Sequence, residues 1–278
     1  MSYLTATTLD QALSALAAGP VSIIAGGTDW FPTHGDRPVT GDLLDITRLP
    51  ELRGVSQTAK GWRIGAATTW TDIIRADLPA AFDGLKLAAR EVGSIQIQNA
   101  GTIAGNLCNA SPAADGVPPL LTLNAEVELC NANGSRVVPL WRFLQGVRQT
   151  DRAQNELVSA VHIPTPPVNS HSSFVKLGAR KYLVISICMV AVLAEVNDDT
   201  LTDIRIAIGA ASPVAQRLTT LEDHLRGCAL GDVQNRMTAD LIQSLTPITD
   251  VRASADYRLA ASATLIRRAV TLALKGVI

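Results

Sequence analysis

From Gln96 to Ala114 the chain carries no charged residue. Small residues, hydroxyls and amides follow one another as Gln96-Ile97-Gln98-Asn99-Ala100-Gly101-Thr102-Ile103-Ala104-Gly105-Asn106, then Leu107-Cys108-Asn109-Ala110-Ser111-Pro112-Ala113-Ala114-Asp115. Neither a core strand nor an amphipathic helix is expected of such a stretch, because no apolar period of 2 or 3.6 runs through it. It suits backbone lying against a ligand, where small side chains permit approach and amide N–H groups donate to anionic oxygens. The plainer reading is an irregular loop held by local Asn and Ser hydrogen bonds.

A second stretch has the same character. Val21-Ser22-Ile23-Ile24-Ala25 reads as a strand that stops at Gly26-Gly27-Thr28-Asp29. A strand running into two glycines can turn without a Cβ clash and present N–H groups to phosphate, although it is equally a strand-ending turn. It is not a dinucleotide fingerprint, since no G-x-G-x-x-G is present and Trp30-Phe31-Pro32 follows in place of a long helix. Nor is it a Walker loop. Asp29 would repel a bare phosphate, so its carboxylate is expected on loop amides or ligand hydroxyls.

Around these stretches the chain alternates short helices and strands. A helix over Leu9 to Ala18 is capped by Thr7 or Thr8 and stopped by Gly19-Pro20. Strands are predicted at Leu43 to Ile46, Gly61 to Ala67, Ala125 to Cys130, Arg136 to Pro139 and Glu156 to Ile163, with a hairpin turn at Asn131 to Gly134. Helices are predicted from Thr68 and over Leu85 to Val92, with one or two turns after Pro118. Pro164 to Ser173 brings three prolines into polar sequence and is the candidate linker. Beyond it, Val184 to Val196 and Leu201 to Ile208 read as a hairpin about Asn197-Asp198-Asp199. Helices follow over Leu218 to Leu225, Val233 to Leu245 and Ala255 to Leu274. The last sets Arg258, Arg267 and Arg268 on a polar face and Leu259, Ala263, Ile266 and Val270 on an apolar one. The class is α+β, in at least two parts.

With 278 residues, 47% hydrophobic and 18% charged, the chain has material for a packed core. A formal net charge of −1 without a basic block argues against nucleic acid. Cys108, Cys130, Cys188 and Cys228 are dispersed, and the four histidines lack ligand spacing, so no metal is expected on this chain. The start, Met1-Ser2-Tyr3-Leu4-Thr5, has neither a basic nor an apolar run, and no apolar run approaches the ~20 residues of a membrane span. A cytoplasmic, membrane-free protein is expected.

Two small-residue bends, each after a regular element, suit an extended dianion such as a dinucleotide diphosphate. Ala25-Gly26-Gly27-Thr28-Asp29, Asn99 to Asn106 and Ser111-Pro112-Ala113-Ala114-Asp115 resemble the FAD-binding subunit of the molybdenum hydroxylases, the xanthine and carbon monoxide dehydrogenase medium-subunit family. Phe174-Val175-Lys176-Leu177-Gly178-Ala179-Arg180 and Asp250-Val251-Arg252-Ala253-Ser254-Ala255-Asp256-Tyr257-Arg258 resemble its C-terminal motifs. The likeness runs in order along nearly the whole chain.

The resemblance implies a vanillyl-alcohol-oxidase-type (PCMH-type) FAD domain over 1–165, with subdomains at about 1–55 and 56–165. A C-terminal domain of antiparallel sheet and helices over 172–278 would follow. It implies that Ile23, Ile24, Ala25, Gly26, Gly27, Thr28, Asp29 and Trp30 wrap the FAD diphosphate together with Gly101, Thr102, Ile103, Ala104, Gly105 and Asn106. Asp115 would take ribityl or ribose hydroxyls, Leu157 and Val158 would line the flavin or adenine pocket, and Lys176 would reach the isoalloxazine edge. No catalytic side chain is implied. The partners implied are a [2Fe–2S] subunit and a molybdopterin-binding large subunit in a dimer of heterotrimers, with NAD+, oxygen or another acceptor taking the electrons. The substrate would be an N-heterocycle or an aldehyde. The alternatives are a stand-alone flavin oxidoreductase and a flavin-free assembly module. Two departures stand out: the family usually has Gly-Gly at Ala104-Gly105 and Arg at Gln98. If position 104 needs positive φ, alanine costs about 1 kcal/mol.

Overall fold

A computed structural model of the chain describes residues 2–238 and 242–276. The first unit is a three-stranded parallel sheet. It contains β1 (Tyr3–Thr5), α1 (Leu9–Ala18), β2 (Val21–Ile24), the one-turn α2 (Trp30–His34) and β3 (Asp42–Asp45), with β3 in the middle. The Thr8 side chain accepts from Gln11 N–H at the start of α1. Ala12 and Leu16 then bury against Leu44, Leu49 and Leu52.

The second unit is a five-stranded antiparallel sheet covered on one face by helices. Its first part is β4 (Val55–Thr58), β5 (Gly61–Gly65), α3 (Trp70–Arg75), α4 (Asp83–Glu91), α5 (Ile95–Ala100), α6 (Ile103–Asn109) and α7 (Val117–Thr122). Then come β6 (Glu126–Asn131), β7 (Gly134–Pro139), α8 (Leu140–Phe143), the small hairpin β8 (Leu144–Gly146) and β9 (Gln149–Thr150), and β10 (Leu157–Pro164). The strand order is β4-β5-β10-β6-β7. Val127, Leu129, Val158 and Val161 face Trp70, Phe82, Leu85, Ile103 and Leu107 in one core. From the opposite face Cys130 and Leu157 pack on the first unit, which seats the two sheets together.

The third unit holds β11 (Ser170–Leu177), β12 (Cys188–Asn197), β13 (Thr200–Gly209), the two-residue β14 (Gln216–Arg217), α9 (Thr219–Leu225), α10 (Val233–Arg236) and α11 (Ala255–Lys275). Its sheet is antiparallel in chain order. Asp198 and Asp199 both have positive φ (47° and 59°) between the paired Asn197 and Thr200, the turn that suits the twist of a two-residue hairpin. β12 reads as a continuous apolar run because both of its faces are covered. Val190, Val192 and Ala194 pack beneath α11, while Met189, Ala191 and Leu193 turn to the second unit.

Several expectations are corrected. The uncharged segment after Ser94 forms two short helices, not irregular backbone. Ser94 and Thr102 cap them by accepting from Ile97 N–H (3.4 Å) and Gly105 N–H (3.1 Å), and Ile103 and Leu107 supply buried anchors. Capping, not periodicity, makes a helix of this length. The linker is shorter than expected, because Pro164 ends β10 paired with Gly61 and Ser170 begins β11. Of the helix expected over Val233 to Leu245, the described residues are α-helical over Val233–Arg236, and residues 239–241 lie outside the described residues. Arg258 is not on a polar face. It is 2% exposed, and its guanidinium donates to the carbonyls of Ile187 (2.5 Å) and Ala210 (3.0 Å) and to Asp250 (2.7 Å). Leu259 is exposed instead.

A candidate flavin cleft

The bend after β2 and the junction between α5 and α6 meet. A Cβ on Gly26 would overlap the main-chain carbonyl of Ala100, so the two backbones lie in contact that only glycine permits. Gly27 takes φ +67°, the second reason for the pair. The α5–α6 junction is pinned from behind: Trp70 N–H donates to the Gly101 carbonyl (3.1 Å), Ile103 N–H to Thr68 (3.0 Å) and Ala104 N–H to Ala66 (3.2 Å).

These bends form the floor of a cleft of about 860 Å³, towards the large end of the roughly 300–1,000 Å³ usual for small-molecule sites. One wall is the first unit, from Ile23 to Trp30. The second unit supplies Gly101, Thr102, Ala104 to Asn106, Asp115, Leu157 and Val158. A third wall, Leu183 to Ile185, comes from the segment before β12. Of the residues expected at a ligand, two do not line the cleft. Ile103 is fully buried in the core of the second unit. Lys176 lies behind Asp115, its Nζ donating to Asp115 Oδ2 (2.7 Å) and to the Glu91 carbonyl (3.1 Å).

The free donors are divided unevenly between the bends, since among residues 101–106 Thr102 alone has an N–H without an acceptor. Gly101, Ile103, Ala104, Gly105 and Asn106 all spend their N–H groups inside the chain. Among the described residues the N–H groups of Gly26, Gly27, Thr28 and Asp29 have no such acceptor. Ala104 lies within α6 and is absent from the positive-φ positions, so the cost foreseen for it does not arise. Gln98 is buried and donates to the Arg90 carbonyl (2.9 Å) at the back of α5. Asp29 meets neither loop amides nor open solvent alone. Its carboxylate accepts from Arg148 at 3.0 Å.

Burial pushes the Asp115 carboxyl above its ordinary value, and Lys176 and Ser186 pull it part of the way back. Ser186 Oγ donates to Oδ1 at 2.8 Å, so this carboxylate ties the segment carrying Leu183 to Ile185 to the cleft floor. Trp30 stacks on His34, with centroids 4.8 Å apart and planes 7° from parallel, and both border the cleft.

Residues that the sequence did not single out are Val92, Gly93 and Ile97, the cations Arg37, Arg148 and Arg152, and Leu183 to Ile185. Arg148 sits at the tip of a hairpin whose strands are too short to announce themselves, and nothing local marks Leu183 to Ile185 as cleft-forming.

The residues present fit a dinucleotide. Two buried polar atoms bordering the cleft, Asn106 Oδ1 and His34 Nε2, have no partner. Free amides lie beside three guanidinium groups, against only two carboxylates in the lining. Apolar Leu157, Val158 and Ile185 offer a wall for a ring.

Fold and cleft together describe a nucleotide-binding subunit, and comparison with known proteins makes it a flavoprotein. The family described as FAD binding domain in molybdopterin dehydrogenase matches residues 1–166, and the CO dehydrogenase flavoprotein C-terminal domain matches residues 173–273. The chain is 30% identical to a putative xanthine dehydrogenase FAD-binding subunit of Escherichia coli (strain K12), over 97% of this chain and 94% of that one. Carbon monoxide dehydrogenase from Hydrogenophaga pseudoflava superposes with a TM-score of 0.91 at 28% identity, covering 99% of this chain and 97% of that one. Quinoline 2-oxidoreductase from Pseudomonas putida 86 superposes with a TM-score of 0.89 at 26% identity, covering 100% and 98%. The chain belongs to the FAD-binding subunits of the molybdenum hydroxylase family. It is an oxidoreductase flavoprotein subunit whose cofactor is FAD, with the vanillyl-alcohol-oxidase-type FAD domain followed by the family's C-terminal domain.

Proposed function

We propose that FAD lies in the three-walled cleft and that the chain relays electrons within a molybdenum hydroxylase. A [2Fe–2S] subunit delivers them, a molybdopterin-binding large subunit oxidises an N-heterocycle or an aldehyde, and NAD+, oxygen or another acceptor receives them. Bound FAD supplies the capacity to take electrons singly and to release them in pairs. The observation that carries this reading is the backbone contact between Gly26 and Ala100, which brings the two sequence-remote bends to one floor.

In this reading residues 1–165 form the FAD domain, with subdomains at about 1–55 and 56–165, and residues 172–278 form the domain that closes it. The free amides of Gly26 to Asp29 donate to the diphosphate, and Ile23, Ile24, Ala25 and Trp30 shape that wall. Gly101, Thr102, Ala104, Gly105 and Asn106 make the floor, where the unpartnered Asn106 Oδ1 is an acceptor for a ligand hydroxyl or amine. Leu157 and Val158 bury ring surface. Each Asp115 oxygen keeps a lone pair for a ligand hydroxyl after accepting from Lys176 or Ser186. Lys176 acts through Asp115, favouring the charged form of a carboxylate that burial disfavours.

Among the described residues there is no cluster of metal-ligating side chains, and in this reading the electrons from molybdenum arrive through a partner's centres. No helix among them is long and apolar enough to cross a membrane. Purification of the native complex tests the reading. Iron, acid-labile sulfide and molybdenum are expected to co-purify with the chain and its flavin absorption, at the mass of a dimer of heterotrimers. A flavin-bearing chain that turns over substrate without metal-bearing partners would overturn it.

A further inference from the structure

Arg148 sits in the turn of the β8–β9 hairpin at φ +58°, a left-handed backbone that side chains with a Cβ rarely take. Its own N–H donates to the Ala110 carbonyl (2.9 Å), which fastens the turn to the end of α6. From there the guanidinium spans the cleft. Nη1 donates to Asp29 Oδ2 at 3.0 Å and also to the side-chain carbonyl of Asn109. Asp29 belongs to the bend on the facing wall, 119 residues away.

Side-chain exposures of 53% and 49% make this pair a weak contributor to folding. Its location matters more. Asp29 is the only carboxylate in the bend whose free amides face the cleft, and an unpaired negative charge there opposes any anion that those amides attract. Asp115, the other carboxylate in the lining, already has Lys176 against it.

We infer that Arg148 is a positioning residue for the FAD diphosphate: by pairing with Asp29 across the cleft it cancels the charge beside the Gly26 to Thr28 amides. The inference rests on the reading of this cleft as the FAD site. Arg148 acts through Asp29, so removing both charges does less harm than removing the cation alone. A pair with a merely structural role shows no such pattern.

The test is an FAD titration of the flavin-stripped whole chain, followed by the change in flavin fluorescence, for wild type, Arg148→Gln, Asp29→Asn and the double variant. Arg148→Gln is expected to raise the FAD dissociation constant about fivefold, the effect of one unpaired charge at ~4 Å in water. That rise is expected to shrink as salt is added, since the Debye length is about 8 Å at physiological ionic strength. The double variant is expected to return to within about twofold of wild type. Asp29→Asn alone is expected to bind FAD more tightly, because it removes the negative charge beside those amides. An Arg148→Gln constant equal to wild type, or a double variant as weak as Arg148→Gln, overturns the proposal. Should Arg148→Gln fail to fold, Asp29→Asn decides alone, and unchanged or weaker binding overturns it. Uptake of FAD with one constant in all four proteins removes only the role of Arg148. A wild-type chain that takes up no FAD removes the reading beneath it.

Discussion

Gly26 and Gly27 stand side by side for different reasons. Gly27 needs its positive φ, whereas Gly26 needs the space that the Ala100 carbonyl occupies. Gly26→Ala therefore forces two backbones apart, an overpacking that costs typically 1–3 kcal/mol, and it spreads the floor of the proposed FAD cleft. The expected outcome is a lowered melting temperature together with loss of bound flavin on gel filtration. A variant that melts low but keeps its flavin would separate the packing of the bend from its role in binding. The pair of glycines is visible in the sequence, but the partner that makes Gly26 obligatory is more than seventy residues away and leaves no local mark. Arg258 misleads in the opposite direction. An arginine at helical spacing reads as solvated, yet this one is buried because its guanidinium satisfies two carbonyls at the ends of β12 and β13.

At the level of elements, the long strands β10, β12 and β13 and the C-terminal helix are legible because each is several periods long, whereas short β1, β4, β8, β9 and β14 and the polar start of β11, read as linker, are not. The short helices α5 and α6 are not, since one or two apolar contacts and a capping hydroxyl are all that distinguish them from loop. α11 is held at its N-terminus by a charged joint. Despite some burial, which works the other way, the N–H groups of Arg252 and Ala253 and the guanidinium of Arg258 hold the Asp250 carboxyl at about 2. A carboxyl depressed in the folded state stabilises fully above its unfolded value of about 3.9, and that contribution is lost as the pH falls through the folded value. Urea midpoints are expected to decline between about pH 4 and pH 2. Asp250→Asn is expected to lower the midpoint at neutral pH and to remove this part of the acid dependence. An identical acid limb in the variant would assign the loss to other carboxylates.

For the whole molecule, the decisive fact is that the cleft draws walls from all three units. Ser172 also ties β11 to the second unit, its Oγ donating to the Ala81 carbonyl (2.7 Å) and accepting from Gly84 N–H (2.8 Å). FAD at a hundredfold excess over its dissociation constant adds about 2.7 kcal/mol to the folded state. For a chain of this size that corresponds to a rise in melting temperature of about 5 °C or more. The expected calorimetric trace shifts as one transition. A C-terminal transition that stays still while the remainder moves would show that Leu183 to Ile185 does not share the load. The resemblance carried by five motifs reached the family and the cofactor, but the third wall lay beyond it. No motif marks Leu183 to Ile185, and their place follows from Ser186 meeting Asp115 across 71 residues.

The wall contributed by Leu183 to Ile185 also bears on how such subunits diversify. A recombination breakpoint in the joint between residues 166 and 173 would graft one lineage's rim onto another's basin, so compatible halves are expected to be inherited as a single cassette.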